Sequence, residues 1–228
     1  MRYARTLGAT PMSDDWIRAD WPAPAGVLAG TTTRRNEAFA FPAEPQWLKQ
    51  VHGARVVHAG SADFAGDSPE ADAIVADRAQ EICVVQTADC LPVLLCSIDG
   101  QEIAAIHGGW RGLAAGVIEA TINALRTDPA DLIAWFGPAI SQPAFEVGDE
   151  VRAAFSDTDP GAAAAFEPNA RGRWQADLYA IGRRQLAQQG VTAVYGGGLC
   201  TYADKERFFS YRRDGQTGRL YSFIFRGD

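Results

Sequence analysis

An Asp-Gly dipeptide between two apolar runs constrains the fold of this chain more than any other feature. Residues 92–98 precede Asp99-Gly100, and residues 102–106 follow it. Asp-Gly favours the tight turn that joins two antiparallel strands, so the pattern predicts a β-hairpin. Pairing that is symmetric about the turn places residue 92 opposite residue 107 and residue 94 opposite residue 105.

This register brings a cysteine and a histidine together at the open end of the hairpin. Cys90 precedes the first strand and His107 ends the second, so we expect their side chains to be neighbours. Such a pair is either a nucleophile with its base or two ligands of a metal ion. His52 is available as a third ligand, and three protein ligands with an open fourth position are typical of catalytic zinc.

Strands outnumber helices along the rest of the chain. Hydrophobic patterning predicts strands over residues 27–33, 55–58, 73–76, 82–86, 132–136, 191–195 and 220–225, and helices over 113–126, 148–155 and 178–189. Because strands adjacent in sequence are expected to pair, the pattern indicates an α+β protein rather than a doubly wound sheet. We expect residues 25–228 to form one domain, residues 1–24 to be a weakly structured extension in part, and residues 156–172 to be exposed.

Composition and charge exclude several classes of protein. The 228 residues carry a net charge of −7 with a pI of about 5.0, which argues against binding to nucleic acid. No run approaches the roughly 18 apolar residues of a membrane span, and the N-terminus lacks the apolar core of a signal peptide. The four cysteines include no Cys-x-x-Cys pair. We therefore expect a cytoplasmic protein with reduced cysteines and no membrane contact.

The number of histidines limits the metal chemistry further. The chain has three, which are His52, His58 and His107. A blue-copper centre alone takes two histidines and a cysteine, which leaves one histidine for any further copper ion. This count argues against a multicopper oxidase.

The segment His107-Gly-Gly-Trp-Arg-Gly112 joins the hairpin to a predicted helix. Backbone N–H groups at a helix start attract anions, and Arg111 adds a fixed positive charge. A tight turn that simply needs small residues would also explain the glycines. The histidine in the segment favours the functional interpretation.

Four motifs together resemble one bacterial family. They are Lys49-Gln-Val-His-Gly, Thr87-Ala-Asp-Cys-Leu-Pro, His107-Gly-Gly-Trp-Arg-Gly and Phe208-Phe-Ser-Tyr-Arg-Arg-Asp-Gly-Gln-Thr-Gly-Arg. The family is named polyphenol oxidase or laccase-domain protein and is also described as a purine nucleoside phosphorylase. The resemblance runs from about residue 25 to the C-terminus.

The resemblance implies a single domain of mixed β-sheets flanked by helices, similar to the fold of a bacterial toxin with a Cys–His hydrolase site. It also implies a zinc ion held by His52, Cys90 and His107. The family activities are phosphorolysis of adenosine, inosine and methylthioadenosine, and deamination of adenosine. Some members are linked to removing wrongly incorporated amino acids from cell-wall precursors.

The chain departs from the family pattern in two places. Only residues 36–47 separate the Thr-Thr-Arg block from the first histidine motif, which is a shorter spacing than is usual in the family. The third motif has His-Gly-Gly where His-Ala-Gly is commoner. The shorter spacing indicates that a substrate-binding loop is missing or reshaped.

We therefore predict a zinc-dependent purine nucleoside phosphorylase with adenosine deaminase activity, a monomer or weak homodimer that acts on purine nucleosides and phosphate. We expect Asp89 to transfer a proton or to orient a ligand histidine, and Arg111 to bind phosphate. Substrate binding is assigned to Gln50, Gly109, Cys200 and Arg212.

Two alternatives remain open. In the first, the chain is a Cys–His hydrolase that edits peptidoglycan precursors, with Cys90 attacking an amide and His107 as base. Bound zinc would block Cys90 as a nucleophile, so metal content separates this alternative from the first hypothesis. In the second, the chain is a non-catalytic, partner-binding protein, against which the retained His, Cys and Arg residues argue.

Overall fold

The computed structural model describes residues 16–35 and 39–228. Residues 1–15 of the predicted extension and residues 36–38 of the short segment before the first histidine motif lie outside this part. The strands of the described part are β1 (Trp16–Arg18), β2 (Val27–Thr32), β3 (Val56–His58), β4 (Ala73–Ala76), β5 (Glu81–Thr87), β6 (Leu91–Ser97), β7 (Ile103–Gly108), β8 (Leu132–Phe136), β9 (Glu146–Val147), β10 (Phe166–Pro168), β11 (Trp174–Ala176), β12 (Ala193–Gly196) and β13 (Leu220–Arg226). Its helices are α1 (Trp110–Ala114), α2 (Val117–Ala124), α3 (Asp149–Ser156), α4 (Leu178–Gln188) and α5 (Tyr211–Asp214).

A six-stranded sheet with the strand order β12-β8-β6-β7-β4-β3 forms the centre of the molecule. Strands β6 and β7 are the predicted hairpin, in which Pro92 pairs with His107 and Leu94 with Ala105. Both the hairpin and its register are therefore confirmed. The pairs β12–β8 and β3–β4 are parallel and the other pairs of this sheet are antiparallel.

A second sheet covers one face of the first. Its order is β1-β2-β13-β5, so the last strand of the chain lies between β2 and β5. Val85 and Ile224 from this sheet pack with Leu94 and Trp135 from the six-stranded sheet, and all four are buried. Strand β1, which lies within the segment 1–24, pairs with β2.

The helices cover the opposite face of the six-stranded sheet. Because side chains alternate along a strand, Val93 and Leu95 face the helices while Leu94 faces the second sheet. The helical layer packs on this face through residues such as Leu113 and Ile118. The prediction of an α+β domain of mixed sheets flanked by helices is confirmed. No helix in the described part is long and apolar enough to cross a membrane.

The single helix predicted over residues 113–126 is instead two helices, α1 and α2. Gly116 separates them with a left-handed φ of +86°, which glycine adopts without strain. Leu113 and Val117 are both buried in the same core, so the apolar spacing continues across the break. Patterning alone therefore indicated one helix.

The segment 156–172, expected to be exposed, is partly buried. A 3₁₀ turn over Pro160–Ala165 buries Ala162 and Ala165. Phe166 in β10 is also buried and its ring lies 5.9 Å from that of Phe155 in α3. The segment has no clear periodicity, so tertiary contacts rather than a local pattern determine its burial.

Candidate metal centre and substrate cleft

Three side chains with nitrogen or sulfur donors meet at one end of the six-stranded sheet. His107 lies near the end of β7, Cys90 immediately precedes β6, and His52 belongs to the loop before β3. One donor atom of each residue lies within 4.8 Å of the other two, and Cys90 Sγ is 3.9 Å from His52 Nε2. The fold thus brings together the three residues that were predicted as ligands.

A buried carboxylate that no sequence pattern indicated holds two of these predicted ligands in place. Asp72 is 0% exposed and accepts hydrogen bonds of 2.7–3.2 Å from the backbone N–H groups of Val51, His52 and Gly53. Its Oδ1 also lies 2.7 Å from His107 Nδ1. In the neutral form of His107, this contact favours a proton on Nδ1 and leaves the lone pair of Nε2 available to a metal ion.

The backbone of His52 depends on the same carboxylate. His52 has a φ of +60°, in the left-handed region that residues other than glycine seldom adopt. The three N–H bonds to Asp72 compensate for this conformation. Asp72 therefore orients His52 through the backbone and His107 through its ring.

The carboxylate that orients a histidine is Asp72 and not Asp89, which corrects that part of our prediction. Asp89 Oδ1 accepts a hydrogen bond from the Thr201 hydroxyl at 2.6 Å, and Oδ2 accepts one from the Arg212 backbone N–H at 2.7 Å. Asp89 is adjacent to Cys90 in sequence, but its side chain bonds to the C-terminal part of the chain. Sequence adjacency alone does not reveal this direction.

The glycines of the third motif allow close packing around the ligands. A Cβ atom on Gly109 would lie 2.6 Å from His52 Cδ2 and 3.3 Å from Cys90 Sγ, and one on Gly112 would lie 2.8 Å from the Gly53 carbonyl oxygen. A side chain at either position would displace a ligand loop. Gly109, which we assigned to substrate binding, thus lies directly against His52 and Cys90, two of the predicted ligands.

Opposing effects set the acidity of the cysteine and of its neighbouring histidine. Burial raises the pKa of Cys90, but hydrogen bonds with His107 and His52 and their charges outweigh it and lower this pKa to about 6. Burial lowers the pKa of His107, but Asp72 and Cys90 outweigh it and raise this pKa to about 9. The thiolate form of Cys90, which binds metals and attacks carbonyl carbons, is thereby favoured.

The donor set fits a zinc ion. Two imidazole nitrogens and one thiolate, with an open fourth position, match the three-ligand pattern of catalytic zinc, and tetrahedral coordination would separate the donor atoms by about 3.5 Å. The separation of 3.9 Å between Cys90 Sγ and His52 Nε2 is close to this spacing. Copper also uses two histidines and a cysteine, so the donors accept either ion. His58 is exposed on β3 and lies outside the cluster.

The donor cluster lines a cleft of about 530 Å³. Arg111, Arg212 and Arg219 also line this cleft, and none of them pairs with a carboxylate of residues 16–35 or 39–228. The Arg111 guanidinium stacks on Trp110 at 4.4 Å. Among the lining residues, Asp89 is the single acidic one. The cleft is therefore cationic although the chain carries a net charge of −7.

Two further residues that we assigned to substrate binding have contacts of their own. Gln50 lines the cleft, but its amide accepts a hydrogen bond from the Gln86 N–H at 2.7 Å and donates one to the Gln86 carbonyl at 2.8 Å. Cys200 lies outside the lining residues, and its sulfur accepts hydrogen bonds from the backbone N–H groups of Ser141 and Ala203.

Tyr211 is an aromatic residue of the cleft that our assignment omitted. It begins α5, lines the cleft next to Arg212, and is 63% exposed. Its position within the fourth motif was the available signal. An exposed ring in a cleft is a surface on which a flat ligand can stack.

Bacterial proteins match most of the chain. A sequence model of the family described as "Multi-copper polyphenol oxidoreductase laccase" matches residues 24–227. "Purine nucleoside phosphorylase YfiH" of Escherichia coli is 42% identical over 240 residues, which cover 92% of this chain and 98% of that protein. "Purine nucleoside phosphorylase" of Haemophilus influenzae is 46% identical over 191 residues, which cover 83% of this chain and 77% of that protein.

Solved structures match the fold as well. Neisseria meningitidis protein NMB0706 superposes with a TM-score of 0.87 at 42% identity and covers 94% of this chain and 100% of its own. YlmD from Geobacillus stearothermophilus superposes with a TM-score of 0.83 at 27% identity and covers 96% of this chain and 98% of its own. The resemblance inferred from the four motifs is confirmed, and the chain belongs to the family described as multi-copper polyphenol oxidoreductase laccase.

Proposed function

We propose that this chain is a zinc-dependent purine nucleoside phosphorylase that also deaminates adenosine. The observation that carries the proposal is the meeting of two features in one cleft. The His52–Cys90–His107 cluster offers a metal site, and three arginines without carboxylate partners in the described part offer a site for an anion. The names of the Escherichia coli and Haemophilus influenzae relatives support a nucleoside and phosphate as the substrates.

Phosphorolysis requires phosphate and a nucleoside to be held together. An oxygen of hydrogen phosphate forms a bond to C1′ of the sugar while the bond from C1′ to the base nitrogen breaks, and the base takes up the proton that the phosphate loses. Arg111 is the residue that we assign to phosphate, because its guanidinium is exposed in the cleft and has no hydrogen-bonded partner in the described part. α1 has only five residues, so we attribute phosphate binding to the guanidinium group rather than to the helix start.

Arg111, Arg212 and Arg219 together form the cationic wall of the cleft. Arg212 donates to the Glu146 carbonyl at 2.8 Å, and Arg219 donates to the Thr217 and Gly218 carbonyls at 3.0 and 3.1 Å. These bonds leave the positive charges uncompensated. We propose that both attract the anionic substrate and that Arg212 contacts it.

Zinc is the ion that we propose, since neither reaction transfers electrons. When bound, zinc acts as a Lewis acid and activates water, which is the chemistry that adenosine deamination requires. His52 and His107 would hold it through nitrogen and Cys90 through sulfur, and Asp72 keeps both histidines in position. The chain's own contribution to both reactions is this fixed donor geometry next to a cationic wall.

A product screen tests the proposed function. Purified protein loaded with zinc is incubated with inosine, adenosine or methylthioadenosine, with and without phosphate. We expect free base and a sugar 1-phosphate only when phosphate is present, and inosine from adenosine in either case. Absence of base release from every nucleoside tested would contradict the proposal.

One observation favours a second function, that of a Cys–His hydrolase. Asp72, His107 and Cys90 follow one another in space as acid, imidazole and thiol, with 2.7 Å between Asp72 Oδ1 and His107 Nδ1. A thiol nucleophile with an oriented base uses the same order. Alkylation by iodoacetamide separates the two functions: a metal ligand at Cys90 is protected until a chelator is added, whereas a nucleophile reacts without it.

A further inference from the structure

Both oxygens of the Asp89 carboxylate accept hydrogen bonds from distant parts of the chain. The Thr201 hydroxyl donates to Oδ1 at 2.6 Å, and the Arg212 backbone N–H donates to Oδ2 at 2.7 Å. These two donors lie 112 and 123 residues further along the sequence. Asp89 is 9% exposed, so water offers little competition for the same oxygens.

The two donors lie in residues 201–212, the segment that contributes Tyr211 and Arg212 to the lining of the cleft. Thr201 is fully buried, and its backbone N–H bonds to the Ala139 carbonyl at 3.0 Å. Arg212 lies in α5 beside Tyr211, and both residues line the cleft. The Asp89 carboxylate therefore joins the chain immediately before Cys90 to the wall that carries Tyr211 and Arg212.

The backbone of Asp89 has an unusual conformation that is supported by its hydrogen bonds. Asp89 has a φ of +101°, which residues other than glycine seldom adopt. Its carbonyl accepts a hydrogen bond from the Ile140 N–H at 2.9 Å. A strained conformation persists where surrounding contacts compensate for it, and here those contacts are the bonds to Thr201, Arg212 and Ile140.

We infer that Asp89 is a positioning residue. Its two hydrogen bonds, which we call the Asp89 lock, hold the wall formed by Tyr211 and Arg212 against the loop that carries Cys90. The cleft therefore has its shape before the substrate binds. This inference rests on the proposed function for its kinetic consequences. A proton-transfer role would need an oxygen free to reach the substrate, and both oxygens already have protein donors. The lock acts through the wall, so its loss weakens substrate binding more than it slows the chemical step.

Two substitutions at the same position separate positioning from proton transfer. Asp89→Asn keeps both bonds, because its amide oxygen can accept from the Arg212 N–H and its NH₂ group can donate to the Thr201 hydroxyl. Asp89→Gly removes both bonds and suits the positive φ. A positioning role predicts that the KM for inosine changes within about threefold in Asp89→Asn and rises by about tenfold or more in Asp89→Gly.

Proton transfer predicts a different pattern. Neither Asn nor Gly can exchange a proton, so both variants would lose kcat by about 10²- to 10⁴-fold with little change in KM. That result would overturn the inference. Thr201→Val is the third variant, because it removes the hydroxyl bond to Asp89 without changing any titratable group. We expect it to raise KM, as Asp89→Gly does.

Hydrogen exchange of the Arg212 amide provides a readout that does not depend on activity. Loss of the bond to Asp89 should speed this exchange by about tenfold or more in Asp89→Gly but leave it near the wild-type rate in Asp89→Asn. Equal exchange in all variants would contradict the lock even if the wild type were active. If the wild type cleaves no nucleoside, the proposed function fails, while the exchange rates still decide whether the lock exists.

Discussion

The two sides of the cleft hold their polar groups in different ways. On the metal side, His107 is buried and Asp72 accepts four hydrogen bonds, three of them from the loop that carries His52. On the arginine side, Arg111, Arg212 and Arg219 are exposed, and their guanidinium groups contact only backbone carbonyls or aromatic rings of the described residues.

This difference separates two tasks. Groups that are fixed by the sheet and by a buried carboxylate lose little entropy when a ligand binds, so they suit the precise geometry of a metal ion. Exposed guanidinium groups attract an anion over a distance but must be ordered when it binds. Substitutions on the metal side should therefore have larger effects than substitutions on the arginine side.

The largest effect is expected from removing a ligand. Cys90→Ser, His52→Ala and His107→Ala should each lose nearly all bound metal, because two remaining donors hold zinc weakly. Metal per protein chain is measured by elemental analysis after removal of free ions. Cys200→Ser and His58→Ala are the matched controls and should keep the metal. Retention in His52→Ala with loss in His58→Ala would refute the ligand assignment.

The next largest effect is expected at Asp72. Asp72→Asn cannot accept all four hydrogen bonds, so the two histidines lose their common support, and zinc affinity should fall by about 10- to 100-fold. Competition with a chromogenic chelator measures the affinity, on protein that still unfolds cooperatively. Asp63→Asn, which alters an exposed ion pair with Arg55, serves as the control. An unchanged affinity in Asp72→Asn would show that the ligands need no such support.

A smaller effect is expected on the arginine side. Arg111→Ala should raise the KM for phosphate by about tenfold, the low end for a charge-assisted contact because the guanidinium is exposed. Adenosine deamination and metal content should change less, and Arg111→Lys should restore phosphate binding only in part. If both activities fell equally while the metal remained bound, Arg111 would have a general positioning role and not a role in binding phosphate.

The smallest effect is expected at Tyr211, the exposed aromatic residue of the cleft. Tyr211→Ala should raise the KM for nucleosides by about five- to tenfold, because stacking on a base contributes about 1–3 kcal/mol and the exposed ring of Tyr211 is expected to lie at the low end of that range. Tyr211→Phe should retain wild-type kinetics. Tyr202→Ala is the matched control, because Tyr202 is 40% exposed but lies outside the cleft lining. Equal effects of the two alanine variants would argue against stacking at Tyr211.

The sequence predicted the metal side of the cleft because that side depends on a local signal. The Asp99-Gly100 turn determines the register of β6 and β7, and the register places Cys90 beside His107. Asp72 could not be found in this way, because its four donors come from a loop and a strand 19 to 35 residues away. A single Asp at the start of an apolar strand has no pattern that reveals such contacts.

The sequence was less informative wherever tertiary contacts override local pattern. The spacing of Leu113 and Val117 indicated one helix, and only the left-handed Gly116 separates α1 from α2. Asp89 lies next to Cys90 in sequence, yet its carboxylate bonds to Thr201 and the Arg212 N–H. Direction of a side chain in a loop depends on the three-dimensional fold, which residue order alone does not give.

Anomalous diffraction at the zinc absorption edge, from crystals of protein supplied with zinc, tests the central claim most directly. We predict one strong peak at bonding distance from His52 Nε2, His107 Nε2 and Cys90 Sγ, with about 2.0–2.1 Å to nitrogen and about 2.3 Å to sulfur. A cluster without a peak, in crystals whose Cys90 is also open to alkylation, would contradict the metal site and favour the Cys–His hydrolase.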